Sequence, residues 1–133
     1  IQLDYHNHVF LIALDNDKWI GTLHMATTDN LEVEFGFIVS PEYRGQGIAD
    51  RLMEEGTIWA RNRGYKRLFL HCLGWNQPIK HLCKKHKLEL KNIDGDAEVD
   101  ISLPPPTFIS LSKEVARTNR NIFTKILEKS LHL

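Results

Sequence analysis

The sequence predicts a mixed α/β fold around one central sheet that is mostly antiparallel and contains one parallel strand pair. Strand-like segments come first, and an amphipathic helix then separates two further strands. A strand–helix–strand order makes those two strands parallel, with a right-handed crossover. A chain of 133 residues is long enough for one hydrophobic core. We therefore expect a single domain.

Charge and composition argue against several classes of binding partner for this chain. Seventeen basic residues balance seventeen acidic ones, so nothing in the composition suggests a basic face for nucleic acid or for an anionic membrane. Two cysteines do not make a disulfide framework, and no apolar run is long enough to span a bilayer. We expect a cytoplasmic protein. Because the chain opens at Ile1 and soon reads as strand, we also expect N-terminal elements upstream.

The first elements are three strands. Residues 8–15 and 18–27 are rich in β-branched and aromatic side chains, and Asp15–Asn16–Asp17 between them predicts a hairpin turn. Residues 31–40 alternate strictly. One face of this third strand carries Val33, Phe35, Phe37 and Val39, and the other carries Glu32, Glu34, Gly36 and Ile38.

From Ile48 the apolar period changes to that of a helix, and Gly64 predicts its C-terminal stop. Its predicted inward positions are Ile48, Leu52, Met53, Gly56, Trp59 and Ala60. Residues 66–73 predict the strand that runs parallel to residues 31–40. A ligand site is expected near the carboxyl end of the first strand of such a unit.

The remaining elements are two helices and a hairpin. Asn76 is predicted to cap a second helix, whose inward stripe is Ile79, Leu82, Cys83 and His86. Residues 88–93 and 97–103 flank Asp94–Gly95 and predict a closing hairpin. After Pro104 to Pro106, apolar positions from Val115 to Leu127 predict a final amphipathic helix capped by Ser112. Residues 1–103 would form the domain proper, and residues 104–133 a connector and a helix packed on it.

Residues 44–49 form a glycine-rich turn between a strand end and a helix start. Such a turn presents unpaired N–H groups at the positive end of a helix dipole, an arrangement that binds phosphate. A P-loop is excluded, because Gly47 is followed by Ile48 and Ala49 instead of Lys and Ser or Thr. The dinucleotide fingerprint is met only in part, since its third glycine is missing. A turn without a ligand stays open on the residues alone.

The hexapeptide Arg44–Ala49, RGQGIA, resembles the Arg/Gln-x-x-Gly-x-Gly/Ala signature of the GNAT (GCN5-related N-acetyltransferase) superfamily. The stretch "FIVSPEYRGQGIADRLM" is similar to that family's fourth strand and third helix, "KRLFLHCL" to its fifth strand, and "NQPIKHLCKKHKLE" to its Asn-led fourth helix. The resemblance covers residues 8–103 and is nearest to the branch that acetylates protein lysines. It implies the GNAT fold with a splayed parallel strand pair, and acetyl-CoA as the cofactor.

The resemblance also implies roles for individual residues. In the family, loop amides hold the pyrophosphate of acetyl-CoA, and the pantetheine arm lies between the splayed strands. The implied cofactor-binding residues are Phe37, Ile38, Val39, Arg44, Gly45, Gln46, Gly47, Ile48, Ala49 and Asn76. Glu34 matches the glutamate that serves as general base in the lysine branch. Cys83 stands where many members have the tyrosine that protonates the leaving thiolate, and the alternative role for Cys83 is buried packing.

The chemistry requires a base, because a lysine-type amine has a pKa of about 10.4 and its deprotonation at neutral pH costs roughly 4 to 5 kcal/mol. Glu34 shares a strand face with Gly36, where a strand glycine marks a bulge or a close backbone approach. The alternatives are a solvated carboxylate at Glu34 and a glycine that packs beneath Trp19. Glu32 is expected to be a solvated strand carboxylate.

We therefore expect an N-acetyltransferase that transfers acetyl from acetyl-CoA to a primary amine by direct attack, with a protein lysine as a candidate acceptor. A small-molecule amine acetyltransferase and a catalytically silent acyl-CoA-binding or regulatory module are the alternatives. No metal site is expected, since His81 and His86 lie on different helix faces. The basic run at residues 84–87 is expected to be a solvated helix end, and the alternative is a contact with the anionic tail of the cofactor. We expect no nucleic-acid or membrane partner, and a monomer or homodimer.

Overall fold

A single mixed sheet organises the chain. The computed structural model describes residues 5–72, 77–86, 91–93, 96–116 and 123–130. The strands are β1 (Tyr5–Asp15), β2 (Lys18–Thr28), β3 (Glu32–Val39), β4 (Arg67–Cys72), β5 (Lys91–Ile93), β6 (Asp96–Ser102) and β7 (Phe123–Ser130), and the helices are α1 (Ile48–Asn62), α2 (Gln77–Lys85) and α3 (Phe108–Ala116). The sheet order is β5-β6-β4-β3-β2-β1-β7.

The strand pairing confirms the predicted sheet. Among the described pairs, β3 and β4 run parallel, and the others are antiparallel. The β1–β2 hairpin closes through Asn16 and Asp17, which have φ of 47° and 66°. Asn and Asp tolerate this left-handed conformation better than most residues, which is why the turn was recognisable in the sequence. The β5–β6 pairing confirms the closing hairpin, although its turn at residues 94 and 95 lies outside the described residues.

Helix α1 covers one face of the sheet and forms the core with it. All six inward positions predicted for this helix are buried. The contact is close: a Cβ on Gly56 would overlap Leu23 Cδ2 and lie 3.0 Å from Phe35 Cζ. The helix ends as expected, with Gly64 at φ 82° after the Arg63 cap. Leu82 and Cys83 of α2 join the same buried cluster.

The opposite face of the central strands is more polar and more open. We call it the second face and define it by residues that pairing places on one side of β1, β2 and β3: His8, Phe10, His24, Glu34, Gly36 and Ile38. Most of these residues are half-buried, whereas Ile38 is 65% exposed. Half-burial on one face and full burial on the other is the usual condition of a sheet with helices on one side.

The prediction for the C-terminal region was wrong in position and partly in type. The helix predicted from Val115 to Leu127 is replaced by α3, which ends at Ala116, and by strand β7, which pairs with β1. Short apolar runs fit both helix and strand, and pairing with the free edge of β1 decides in favour of the strand. The expected cap Ser112 is also wrong, since it lies inside α3.

The observed cap of α3 is Thr107. Its Oγ1 accepts a hydrogen bond from Ser110 N at 3.1 Å, and Ser110 Oγ accepts one from Thr107 N at 2.8 Å. This reciprocal pair satisfies two donors at the helix start, as in a capping box. Helix α3 packs on α1, where Asn62 Nδ2 donates to Ser110 O at 3.0 Å and Arg63 pairs with Glu114 at 2.8 Å. A helix thus packs on α1, although at Phe108–Ala116 and not where the C-terminal helix was predicted, and the division of the chain after residue 103 stays a prediction.

In the part of the chain that the structure describes, none of the helices is both long and apolar enough to cross a membrane. The cytoplasmic location and the monomeric or homodimeric state stay predictions.

Candidate functional site

The site begins where two neighbouring strands part. The β3–β4 register starts with Glu32 opposite Arg67 and ends with Phe35 opposite Leu70. Beyond that point β3 stays paired with β2 as far as Val39, and β4 stays paired with β6 as far as Cys72. This parting confirms the splayed pair that the resemblance implied. It leaves one backbone edge of β3 available to a ligand that bonds as a strand does.

A cleft of about 790 Å³ lies against this edge. It is bounded by the end of β3, the glycine-rich turn, the start of α1 and one side of α2. Its lining residues are Phe37, Ile38, Val39, Tyr43, Arg44, Gly45, Gly47, Ile48, Ala49, Asp50, His81, Leu82 and Lys85. The cleft thus brings together the implied cofactor residues except Gln46 and Asn76. Gln46 instead donates from Nε2 to Glu42 O at 3.3 Å, and Asn76 lies outside the described residues.

The glycine-rich turn has the geometry of an anion site. Gly45 and Gly47 have φ of 79° and 80°, and a Cβ on either would meet no atom within 4 Å. The space above the turn is therefore open, and a side chain there would both strain the backbone and enter that space. Gly47 caps α1, whose first helical bond runs from Arg51 N to Gly47 O at 3.0 Å. The backbone amides of Ile48, Ala49 and Asp50, in the first turn of α1, have no intrahelical acceptor, so they are available to a phosphate.

An acidic residue lies beside this anion site and is held by two basic partners. Asp50 accepts hydrogen bonds from Lys85 Nζ at 2.6 Å and from His86 Nε2 at 2.5 Å. Burial alone would raise the pKa of Asp50, but the hydrogen bonds and charges of Lys85 and His86 outweigh it and hold this pKa below its ordinary value. The hydrogen bond and the charge of Asp50 in turn raise the pKa of Lys85. The carboxylate is thus neutralised where an anion would bind.

This ion cluster adds residues that the sequence did not reveal. Lys84 and Lys85 are exposed, as expected of a solvated helix end, but Lys85 also lines the cleft, and both Lys85 and His86 bind Asp50. Asp50 and Lys85 are 35 residues apart, and no local spacing rule connects them. Tyr43, Asp50, His81 and Leu82 also line the cleft without having been predicted.

Glu34 and Gly36 lie on the second face, next to the point where the strands part. Nothing lies within 4 Å of a Cβ placed on Gly36, so Gly36 does not pack beneath Trp19. The β2–β3 register is unbroken from Thr27 opposite Val33 to Gly21 opposite Val39, so Gly36 does not mark a bulge either. The half-buried Glu34 carboxylate lies close enough to His24 to act on its pKa. Open space and a carboxylate therefore occur together next to the point where β3 and β4 part.

Cys83 lies on the core side of α2. Its side chain is 1% exposed and belongs to the buried apolar cluster, whereas its neighbour Leu82 lines the cleft. Burial raises the pKa of the Cys83 thiol. The structure therefore does not bring Cys83 together with the other site residues. No group of three His, Cys, Asp or Glu side chains arranged for a metal ion occurs among the described residues.

Comparison with known proteins agrees with this geometry. The family model described as "Acetyltransferase (GNAT) family" matches residues 1–87. N-alpha-acetyltransferase 30 of Schizosaccharomyces pombe is 38% identical over 65 residues, which cover 44% of this chain and 43% of that protein. The chain thus spans less than half of the length of this relative.

Solved structures share the fold. The GNAT domain of S. lividans PAT superposes with a TM-score of 0.66 at 24% identity, covering 77% of this chain and 64% of that one. The PaiA N-acetyltransferase of Thermoplasma acidophilum, solved in complex with coenzyme A, superposes with a TM-score of 0.64 at 18% identity. That match covers 71% of this chain and 61% of PaiA. At these identities the similarity shows a common architecture.

Proposed function

The chain belongs to the acetyltransferase (GNAT) family, and we propose that it transfers the acetyl group of acetyl-CoA to a primary amine. One observation carries the proposal: the free edge of β3 and the amides at the start of α1 face a single cleft. A long ligand with a diphosphate at one end and an amide-rich arm at the other matches both features. Acetyl-CoA has this form, and its thioester supplies an activated acyl group.

Different residues of the cleft would bind different parts of acetyl-CoA. The amides of the turn from Gly45 to Asp50 would hold the diphosphate, because they lie at the positive end of the α1 dipole. The β3 backbone from Phe37 to Val39 would bond the pantetheine arm as an added strand. Arg44 and Lys85 add positive charge to the lining.

Glu34 is the proposed general base. The acceptor nitrogen attacks the thioester carbonyl carbon, a C–N bond forms, and the C–S bond breaks with release of the CoA thiolate. Glu34 takes the proton that the amine loses, directly or through one water. The open space over Gly36 leaves room for the thioester beside this carboxylate.

Cys83 is proposed to act in packing, not as the acid. Its side chain lies in the core and outside the cleft lining, so it does not reach the leaving sulfur. Water protonates the thiolate, or the thiolate leaves unprotonated.

The proposed acceptor is an amine on a protein. The sequence around Glu34 resembles the lysine-acetylating branch, while the name of the S. pombe relative specifies an α-amine. Lysine-containing peptides, peptides with a free α-amine and small amines therefore form the three arms of an acceptor screen.

The first prediction concerns cofactor binding. Gly47→Glu should abolish acetyl-CoA binding in titration calorimetry, because the new side chain enters and charges the anion site. Gly64→Glu is the matched control, since Gly64 has the same left-handed conformation at φ 82° and the same open surroundings but lies at the other end of α1. Both variants should lose about 1 to 2 kcal/mol of stability. Unchanged acetyl-CoA affinity in Gly47→Glu would contradict the proposed site.

The second prediction separates an enzyme from a silent binding module. Glu34→Gln should reduce kcat by about 100-fold or more with a lysine-type acceptor, while acetyl-CoA affinity stays within about twofold of the wild type. Glu32→Gln, two positions along the same strand face, should leave kcat nearly unchanged. Wild-type protein that binds acetyl-CoA but acetylates nothing in the acceptor screen would support the silent module.

A further inference from the structure

Two histidines form a bonded pair on the second face. His8 Nδ1 and His24 Nε2 are 2.7 Å apart, and the two rings are within 4° of parallel. Phe10 stacks on His24 with ring centroids 4.9 Å apart. An N–H···N bond of this length requires one ring to donate and the other to accept. Two protonated rings cannot form it, so the pair holds one extra proton at most.

The pair lies beside the proposed base. His24 is directly opposite Gly36 in the β2–β3 register, and Glu34 is the diagonal neighbour of His24 on the same face. His8 is the diagonal neighbour on the other side, in the β1–β2 register. Diagonal cross-strand neighbours lie within reach of long side chains. Glu34, His24 and His8 thus form a line across three strands, starting at the open space over Gly36.

We propose that the His8–His24 pair is a proton relay that takes the amine proton from Glu34 and passes it to solvent. The inference rests on the proposed function, because it assigns the pair a part in the same reaction. His8 and His24 are positioning residues that act through Glu34. Nothing in the local sequence pattern points to them, since they are 16 residues apart on different strands.

The relay balances without any further reactant. After the amine attacks, Glu34 carries the proton as a neutral acid. Its O–H proton moves to the Nδ1 lone pair of His24, in the tautomer where His24 Nε2 donates to His8 Nδ1, and Glu34 becomes a carboxylate again. The pair then carries one positive charge shared across the N···N bond. Loss of one N–H proton to water returns both rings to the neutral state, so the net result is transfer of one proton from Glu34 to solvent.

The electrostatic surroundings keep the histidine pair neutral, so it can accept a proton from Glu34. Burial and then the charge of His8 lower the pKa of His24, whereas the charge of Glu34 opposes this shift. These are the titratable groups that face His24 from β1 and β3. A lowered pKa keeps His24 neutral at neutral pH. The relay should therefore be lost as the pH falls through the histidine range, where the pair is already protonated.

The test uses chemical rescue. His24→Ala should lower kcat by about ten- to a hundredfold with a lysine-type acceptor, less than the loss in Glu34→Gln. Added imidazole should restore part of the rate, and substituted imidazoles of higher pKa should restore more. Acetyl-CoA affinity should be unchanged. If the histidine pair only stabilised the strands, the rate of His24→Ala would not depend on the pKa of an added base.

Two further variants complete the design. Thr22→Val is the matched control, because Thr22 lies on the same face two positions before His24 and its side chain bonds only Trp19 Nε1, at 2.7 Å, in the described contacts. It should keep the wild-type pH profile and give no rescue. His24→Gln serves if His24→Ala fails to fold, since it keeps a polar group near His8 but cannot accept a proton at these pH values. It should flatten the acid side of the kcat profile.

The outcomes separate this inference from the proposed function. Wild-type turnover with no loss in His24→Ala, or with a loss that no imidazole restores, would overturn the relay and leave the acetyltransferase assignment standing. Wild-type protein that acetylates no amine would overturn both. A His24→Ala rate that added imidazoles restore, and restore more as their pKa rises, would support both.

Discussion

Burial decides the role of a reactive side chain at the residue scale, and Cys83 is the clearest case. A thiol that donates a proton to a leaving group must reach the cleft, yet Cys83 is 1% exposed and surrounded by apolar residues. Burial also raises the pKa of its thiol. Cys83 therefore behaves as a small apolar residue, the ordinary role of a buried free cysteine.

Cys83→Ala should consequently leave kcat within about twofold of the wild type, because we propose that Cys83 packs in the core and does not act as the acid. The free energy of unfolding should fall by about 1 kcal/mol from the small cavity left by the sulfur. Steady-state kinetics and urea unfolding measure the two effects. A kcat that falls by about 100-fold, with stability little changed, would restore Cys83 as the acid.

The residues that were predictable are those with a local signature. Gly45 and Gly47 were recognisable because a glycine-rich turn before a helix serves a known backbone geometry, and their positive φ agrees with it. The Asp50–Lys85 and His8–His24 contacts were not predictable. Each joins residues far apart in the chain, and only the tertiary fold brings them together.

At the scale of elements, the contact of α1 with the sheet depends on one missing side chain. Gly56 lies where α1 comes closest to β2 and β3, with Leu23 and Phe35 against it. The interior is closely packed, so an added methyl group forces a shift of the helix or of these side chains.

Gly56→Ala should therefore lower the free energy of unfolding by about 1 to 3 kcal/mol, despite the higher helix propensity of alanine. Gly36→Ala is the matched control, since no atom lies within 4 Å of its Cβ position. It should not destabilise the fold. Thermal unfolding followed by circular dichroism distinguishes the two, and a stabilised Gly56→Ala would show that the helix lies farther from the sheet.

Sequence periodicity is sufficient to predict some elements of this fold but not others. Helix α1 was predictable in full because its six inward positions keep one period over four turns and Gly64 ends it. Strand β7 was not, because its apolar residues also fit a helical stripe. Its partner β1 lies at the other end of the chain, so the pairing that fixes its structure leaves no mark nearby.

At the scale of the whole molecule, two of the described side chains, His24 and Asp50, link stability to pH. The pKa of His24 is lowered by burial, so folding favours its neutral form. Stability from this source is fully present above the ordinary histidine value of 6.5 and is lost as the pH falls below it. The pKa of Asp50 is also lowered, because Lys85 and His86 outweigh its burial. Its contribution is present above the ordinary value of 3.8 and is lost as the pH falls through the folded-state pKa.

The free energy of unfolding should therefore fall in two steps as the pH is lowered from 8 to 3. His24→Gln should remove the upper step, and Asp50→Asn should remove the lower one while reducing stability at neutral pH, because α1 and α2 lose their link. Urea unfolding at intervals across this range measures both. A wild-type profile that is flat between pH 7 and 5 would contradict the lowered His24 pKa.

The pairing of β7 with β1 has a consequence for the nascent chain on the ribosome. β1 is translated well before β7, so the edge of β1 that pairs with β7 lacks this partner while the segments between them are being made. Exposed strand edges are templates for pairing with other chains. Until β7 emerges, the partly made sheet therefore presents this edge of β1 to other chains, and the synthesis of β7 is what closes it.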